Sequence, residues 1–167
     1  MIEIITAKTE AQFVLIEQLG NVVWREHYTT IIGIDQVEYM LNKFQTAKII
    51  ETQVSEGYQY YIISLKANPA GYFAIRKDED ALFLSKLYVL QEFRGQGLGK
   101  TAMQFIENEA KQNNCNKISL TVNKYNTNSI KVYENIGFVN TGDLVIDIGN
   151  GFIMDDFTME KSISGLS

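Results

Sequence analysis

Proline, cysteine and histidine are nearly missing from this chain of 167 residues, in which each occurs once. The single cysteine, Cys115, cannot form an internal disulfide, and one His with one Cys cannot build a Cys/His metal cage. We therefore expect no metal, and we expect Cys115 to be a small buried apolar residue. One proline, 21% charged residues and no low-complexity tract argue against a disordered chain.

The chain also lacks a basic cluster and a long hydrophobic run. Its 15 Lys and Arg are scattered and outnumbered by 20 Asp and Glu, with a formal net charge of -5, so we expect no nucleic-acid partner. The longest apolar run, in and after YQYYIISL, is far shorter than the roughly 20 residues that a bilayer needs. The N-terminus MIEIITAKTE has no basic segment followed by an apolar one, which favours a cytoplasmic protein with no membrane partner.

Hydrophobic residues make up 46% of the chain, enough for one domain over residues 1–167 with a real core. IEIITA predicts a first strand. Two helices are expected after it, because Thr9 with Gln12 and Asp35 with Glu38 resemble capping boxes followed by apolar residues at helical spacing. They make up a predicted helix pair between Thr9 and Glu56.

The remaining pattern predicts mainly strands. YQYYIISL, YFAIRK and ALFLSKLYVL, separated by the turns KANPAG and KDED, are typical of an antiparallel meander. A helix, the strand KISLTVN, a helix over Asn126 to Asn135 and a closing hairpin follow. The order β-α-α-β-β-β-α-β-α-β-β predicts an α/β (α+β) domain with a mixed, mainly antiparallel sheet and helices on both faces.

The stretch RGQGLGKT, Arg94 to Thr101, places glycines at three alternate positions between a strand and a helix. A Walker A loop would need a glycine at position 94, and a dinucleotide fingerprint needs G-x-G-x-x-G, so both patterns fail. Two interpretations are left. One is an anion site in which backbone N–H groups converge at a helix N-terminus, and the other is a strand-to-helix turn without a ligand.

Two motifs resemble the GNAT superfamily of N-acetyltransferases. The family's acetyl-CoA loop has the pattern [RQ]-x-x-G-x-[GA], which Arg94, Gly97 and Gly99 match. Downstream, NTNSIKVYENIGF, Asn126 to Phe138, matches N-x-x-[AS]-I-x-x-Y-x-x-x-G-F. The ending GNGFIMDDFTMEK is similar to that of the bacterial PaiA-type polyamine acetyltransferases. The resemblance implies a GNAT-like domain and an acetyl-CoA-dependent N-acetyltransferase in which a primary amine attacks the thioester directly.

The resemblance also implies roles for particular residues. Backbone N–H groups at a bulge around Leu87, Tyr88 and Val89 are expected to act as an oxyanion hole. Tyr133 is the expected catalytic residue, donating a proton or hydrogen bond to the departing sulfur. The residues expected to bind acetyl-CoA are Leu87, Tyr88, Val89, Arg94, Gly95, Gln96, Gly97, Leu98, Gly99, Lys100, Asn126, Ser129 and Tyr133.

Purely structural roles compete with some of these assignments. Tyr133 also fits an aromatic position in a helix's core stripe, and Asn126 also fits a helix N-cap. LFLSKLYV contains no carboxylate to remove the amine proton, which leaves a water chain to a distant base. The lone histidine, His27, is not assigned a catalytic role.

The acceptor is the open part of this interpretation. Trp24, Glu26 and Tyr28 are nominated as substrate contacts, although aromatic residues there can also simply pack the early helices. Five acidic side chains are candidates for attracting a cationic amine, although each can also simply lie on a solvated face or turn. They are Glu26, Asp143, Asp147, Asp155 and Asp156. We expect a polyamine such as spermidine or spermine. The alternatives are another small amine, a protein N-terminus or a non-catalytic acyl-CoA sensor module, and a homodimer is left open.

Overall fold

The computed structural model describes residues 1–163. Its seven strands form one sheet in the order β1-β2-β3-β4-β5-β7-β6. The strands are β1 (Ile2–Thr6), β2 (Gln59–Leu65), β3 (Asn68–Asp78), β4 (Ala81–Val89), β5 (Lys117–Asn123), β6 (Val139–Gly149) and β7 (Phe152–Ser162). β4 and β5 are parallel, and antiparallel pairing joins β1 to β2, β2 to β3, β5 to β7 and β6 to β7. The predicted α/β class with a mixed, mainly antiparallel sheet is confirmed.

The helices differ from the prediction by one. They are α1 (Glu10–Ile32), α2 (Ile34–Phe44), α3 (Ala47–Ser55), α4 (Leu98–Gln112) and α5 (Thr127–Asn135), with a 3-10 turn at Gln91–Phe93. The prediction of a helix pair before β2 missed α3. This helix buries one residue fully, Ile50, so its apolar stripe is too sparse to be recognised by spacing.

The two capping predictions have opposite outcomes. Thr9 and Gln12 form the reciprocal capping box that opens α1. Asp35 does not cap α2, because Gly33 with a φ of 87° holds the N-cap position and Asp35 lies in the first turn. A glycine between two consecutive helices lets the chain change direction there.

The contacts of the chain define two compact units, and Met1–Arg76 with Lys86–Ile106 form the first. Its core lies between the helices and the strands β2 and β3. The helix α1 supplies four apolar residues at helical spacing, α3 supplies one, and β2 and β3 supply two each. In chain order these residues are Phe13, Ile16, Leu19, Val23, Ile50, Tyr60, Ile62, Tyr72 and Ala74. This packing fixes the position of α1, which carries Trp24 and Tyr28.

The second unit contains Lys77–Ser85 and the described residues from Glu107 onward. Here β7 lies between β5 and β6, and Lys161 Nζ on β7 is 2.8 Å from Glu107 Oε1 on α4. The β6–β7 hairpin turns at Asn150 and Gly151, whose φ angles of 57° and 79° suit a type I′ turn. As expected, Cys115 is buried in this unit.

Two sequence predictions about turns and membranes also have outcomes. The predicted turn KANPAG is shorter in the structure, since Lys66 and Ala67 have positive φ and β3 already begins at Asn68. Within residues 1–163, no helix has the length and apolar character needed to cross a bilayer.

Candidate active site

The end of β4 carries the residues nominated for the oxyanion hole. The pairing of β4 with β5 covers Ala81–Leu84, so Leu87, Tyr88 and Val89 lie beyond it. On the other side, the backbone of β3 comes so close that a Cβ at Gly71 would overlap the carbonyl oxygen of Tyr88. This edge of β4 is therefore held firmly by β3, a position compatible with the predicted bulge.

The glycine loop leads from the 3-10 turn into α4. Gly95 and Gly97 have φ angles of 79° and 85°, which favour glycine on conformational grounds alone. Arg94 Nε donates a hydrogen bond to the carbonyl of Val89 at 3.2 Å, so its side chain holds the loop against the end of β4. Buried Leu98 fixes the first residue of α4.

Gly99 differs from the other two glycines. It has no positive φ, and an added Cβ would meet no heavy atom within 4 Å other than those of its chain neighbours and the backbone of its own helix. Neither backbone conformation nor packing within the chain requires glycine at this position. The N–H groups of a first helical turn have no partner inside the helix, so Gly99 keeps an open N-terminus that suits an anion. Gln96 and Lys100 are exposed beside it.

The second motif lies in the other unit, on the turn from β5 into α5. Asn126 is 3% exposed and occupies the N-cap position of α5, but its side chain makes no capping hydrogen bond. Its backbone N–H donates to the carbonyl of Asn123 at 3.0 Å. The structural alternative, an asparagine retained to cap the helix, is therefore not supported.

Tyr133 and Ser129 share one side of α5 with Asn126, since they follow it by seven and three residues. Both are half-buried. The ring of Tyr133 packs edge-on against Phe138, with ring centroids 5.5 Å apart. This contact fixes the ring, and it shows that part of the tyrosine serves packing whatever its hydroxyl does.

The nominated acceptor residues of the first unit form an aromatic group. The ring centroid of Trp24 is 4.4 Å from that of Tyr28 and 5.8 Å from that of Tyr88. We call Trp24, Tyr28 and Tyr88 the aromatic wall. His27 packs edge-on against Tyr28, and Glu26 is exposed beside it on α1.

One polar atom of the aromatic wall is unsatisfied. The indole N–H of Trp24 is buried and makes no hydrogen bond. Burial raises the pKa of the Tyr72 phenol, and the nearby Trp24 indole opposes that rise. The contact between the two groups nevertheless lacks the geometry of a hydrogen bond. Unsatisfied buried donors are uncommon and need an explanation, of which a ligand is one.

The acidic residues of the second unit have different environments. Lys124 Nζ forms ion pairs with Asp155 at 2.9 Å and with Asp143 at 3.3 Å. Asp147 Oδ1 accepts a hydrogen bond from the N–H of Gly149 at the hairpin turn. These contacts show that three of the nominated carboxylates already have structural roles.

Asp156 is the exception, because it is 4% exposed. It pairs with Asn123 across the β5–β7 ladder. Burial and the neighbouring Asp155 raise the pKa of Asp156 to about 6, and a hydrogen bond to Thr121 opposes that rise. The expectation of solvated acidic residues fails at this position.

The sequence analysis overlooked Lys86. It lies on β4, is 9% exposed and places its Nζ 2.5 Å from the hydroxyl of Tyr60. Burial lowers the pKa of Lys86 to about 7. A signal was available, since Leu82, Leu84, Lys86 and Tyr88 alternate along one strand and share one face.

The model of the acetyltransferase (GNAT) family matches residues 17–138. This is most of the chain, and the protein therefore belongs to the GNAT family of acetyltransferases. The prediction of an N-acetyltransferase is confirmed at this level. Among residues 1–163, no three His, Cys, Asp or Glu side chains form a group that suits a metal ion.

Individual relatives are distant. An uncharacterised N-acetyltransferase encoded in the pepI 3′ region of Lactobacillus delbrueckii subsp. lactis is 22% identical over 152 residues, covering 83% of this chain and 87% of the relative. The structure of PaiA N-acetyltransferase from Thermoplasma acidophilum in complex with coenzyme A has a TM-score of 0.82 and 17% identity, with 97% and 99% coverage. The ribosomal-protein-S18-alanine N-acetyltransferase from Escherichia coli has a TM-score of 0.70 and 18% identity, with 100% and 97% coverage. At these identities, the structural likeness shows the shared fold.

Proposed function

We propose that this protein transfers an acetyl group from acetyl-CoA to a primary amine, and that a polyamine such as spermidine or spermine is its favoured acceptor. The observation that carries the first part is Gly99, a glycine at the start of α4 that neither backbone conformation nor packing within the chain requires. A phosphate group placed at an open helix N-terminus explains it.

The residues present fit coenzyme A. The pyrophosphate would lie against the backbone N–H groups of the glycine loop, Gly95 to Gly99, with Gln96 and Lys100 exposed beside it. Arg94 acts indirectly in this proposal, because its guanidinium holds the loop to Val89. Asn126 and Ser129 are proposed to contact the pantetheine arm. When bound, acetyl-CoA supplies the reactive thioester.

The proposed chemistry divides between backbone and side chain. As the amine attacks the carbonyl carbon, negative charge develops on the oxygen, and N–H groups at Leu87 to Val89 stabilise it by about 3 kcal/mol for each good donor. Tyr133 donates a hydrogen bond or proton to the leaving sulfur. A phenol with a pKa of about 10 can do this for a thiolate of pKa about 8.5.

The acceptor proposal depends on the aromatic wall. Trp24, Tyr28 and Tyr88 present ring faces and edges to which a cationic amine with an apolar stem is attracted. Glu26, exposed on the same helix, adds negative charge of the sign that such a substrate requires.

The alternative from another class is a sensor that binds acyl-CoA without turnover. Tyr133 opposes it, because a pure binding module needs no proton donor on this helix. Acetylation of another small amine or of a protein N-terminus would retain the same chemistry with a different acceptor. The cytoplasmic location and the absence of a metal remain predictions, and a homodimer is left open.

The test is mass spectrometry of an amine panel incubated with the protein and acetyl-CoA. The panel contains spermidine, spermine, short diamines, an aminoglycoside and a peptide with a free N-terminus. We expect a gain of one acetyl group on the polyamines. Acetylation of the peptide alone would replace the acceptor, and acetyl-CoA binding with no acetylated product would favour the sensor.

Two variants test the site itself. Gly99→Ala should weaken binding of coenzyme A in calorimetry while thermal stability stays the same or rises, because alanine favours helix. Tyr133→Phe should lower kcat by about 100-fold with acetyl-CoA still bound. Tyr125→Phe is the matched control, since Tyr125 is exposed on the turn that precedes α5. Full activity of Tyr133→Phe would remove this tyrosine from the mechanism.

A further inference from the structure

A chain of three polar groups runs from the buried side of β4 to α3. Lys86 Nζ is 2.5 Å from Tyr60 Oη, and Tyr60 Oη is 2.5 Å from Gln53 Oε1. Tyr60 is fully buried, whereas Gln53 is half-buried. The chain therefore begins in the core and ends near the surface of the first unit.

This chain is satisfied in either protonation state of Lys86. As an ammonium, Lys86 donates to Tyr60, whose hydroxyl donates to the Gln53 carbonyl. As a neutral amine, Lys86 has a lone pair that accepts from the Tyr60 hydroxyl, while the amide NH₂ of Gln53, turned by half a revolution, donates to Tyr60. The network therefore holds Lys86 in place whether or not the lysine carries the proton.

The electrostatic surroundings keep the lysine ready to accept a proton. Burial alone lowers the pKa of Lys86 to about 7, and burial with the nearby Tyr58 raises the pKa of Tyr60. The titratable groups around the chain are thus phenols, Tyr58, Tyr60 and Tyr72, with Arg76 bonded to Tyr58. Two adjoining groups with pKa values pushed apart are characteristic of an acid–base pair.

Lys86 also lies next to the proposed acceptor site. Tyr88 follows it by two residues, so the two side chains share a face of β4 about 7 Å apart. Tyr88 belongs to the aromatic wall and packs against the core cluster that contains Tyr60. An amine held at the wall would reach Lys86 through bridging water.

We propose that Lys86 is the general base of this enzyme, taking a proton through water from the acceptor ammonium before the amine attacks. The inference rests on the proposed function. It supplies the base that the absence of a carboxylate in LFLSKLYV left unassigned.

The acceptor R–NH₃⁺ gives one proton to Lys86 Nζ, and the freed lone pair forms the C–N bond with the acetyl carbon. The C–S bond breaks, and Tyr133 gives a proton to the leaving thiolate, which becomes a thiol. The second proton that the amine nitrogen loses replaces the one that Tyr133 gave. Lys86 then returns its proton to solvent, so one proton is released for each acetyl group transferred.

The experiment measures kcat/KM from pH 6 to 9.5 for the best acceptor of the panel. Lys86→Met should lower kcat/KM by about 100-fold, abolish the inflection near pH 7 and leave acetyl-CoA affinity within twofold. Leu84→Met, a buried position on the same face, is the control for methionine in this packing and should stay within twofold of wild type. Circular dichroism verifies that each variant is folded.

Tyr60→Phe distinguishes a base from a structural residue. It leaves Lys86 in place but removes the oxygen that accepts from the ammonium, so the inflection should move to lower pH with the plateau rate within about tenfold. If Lys86→Met keeps the inflection, or if its kcat/KM stays within threefold of wild type, the inference is overturned while the proposed function stands. Wild type that acetylates no amine would overturn the proposed function and this inference together.

Discussion

Lys86 and Asp156 are two buried ionisable residues, one in each compact unit, and their partners differ. Lys86 touches a phenol, and burial is the cause that lowers its pKa. Asp156 has a hydroxyl from Thr121, a repelling carboxylate in Asp155 and an attracting ammonium in Lys124. Both pKa values nevertheless shift in the direction that favours the uncharged side chain.

The comparison shows that desolvation dominates when a charged group is taken into a sheet without a direct counter-ion. Lys124 does not prevent the shift of Asp156, because its ammonium pairs with Asp143 and Asp155 instead. A cation that is paired with neighbouring carboxylates therefore does not offset the desolvation of Asp156 as a direct counter-ion would. Such costs are typical of functional positions, where stability is sacrificed for reactivity.

The largest expected effect is a gain of stability in Lys86→Met. The folded-state pKa of Lys86 is about 7 against an ordinary 10.5, so folding is penalised at any pH at which the unfolded lysine is charged. We expect a gain on the order of 3 kcal/mol at pH 6, less than the full shift because the bond to Tyr60 is lost.

The pH dependence of that gain tests its cause. Between pH 7 and 10.5 the unfolded state binds more protons than the folded state, so wild type becomes more stable as pH rises. The advantage of Lys86→Met should therefore shrink across this window in urea unfolding. An advantage that is constant from pH 6 to 10 would mean that packing, not charge, is the cause.

A smaller gain is expected for Asp156→Asn, with the opposite pH dependence. The folded pKa of about 6 exceeds the ordinary 3.8, so wild type loses stability as pH rises from about 4 to 6. Asparagine avoids this loss, and we expect it to be more stable by about 1 kcal/mol at pH 7, a value reduced by solvent screening. Unfolding curves at pH 4 should coincide; a gain that persists there would contradict the mechanism.

The smallest effect is expected for Thr121→Val. Its hydroxyl bond favours the ionised form of Asp156, so its loss should raise the carboxyl pKa further and cost about 0.5–1 kcal/mol at pH 7. NMR titration of the Asp156 carboxyl carbon measures the shift. Thr141→Val on β6 is a control, because the Thr141 hydroxyl bonds to Thr158 instead.

Local patterns predicted most of the secondary structure correctly. Alternating residues in KISLTVN predicted β5 with the bounds that the structure has, and the box of Thr9 and Gln12 predicted the start of α1. The same method missed α3, which buries little, and placed a cap at Asp35, where a glycine with positive φ begins α2 instead. A helix that begins at a glycine has no capping side chain, so its first residue is hard to recognise in the sequence.

The sequence by itself determined the family and the two motifs, because glycines at fixed spacing and a tyrosine seven residues after an asparagine are written in the chain. Tertiary structure decided which charged residues are withdrawn from water. Lys86 and Asp156 resemble other lysines and aspartates in the sequence, and they acquire unusual pKa values because distant strands cover them. Burial depends on the packing of the whole chain, so the spacing of neighbouring residues does not reveal it.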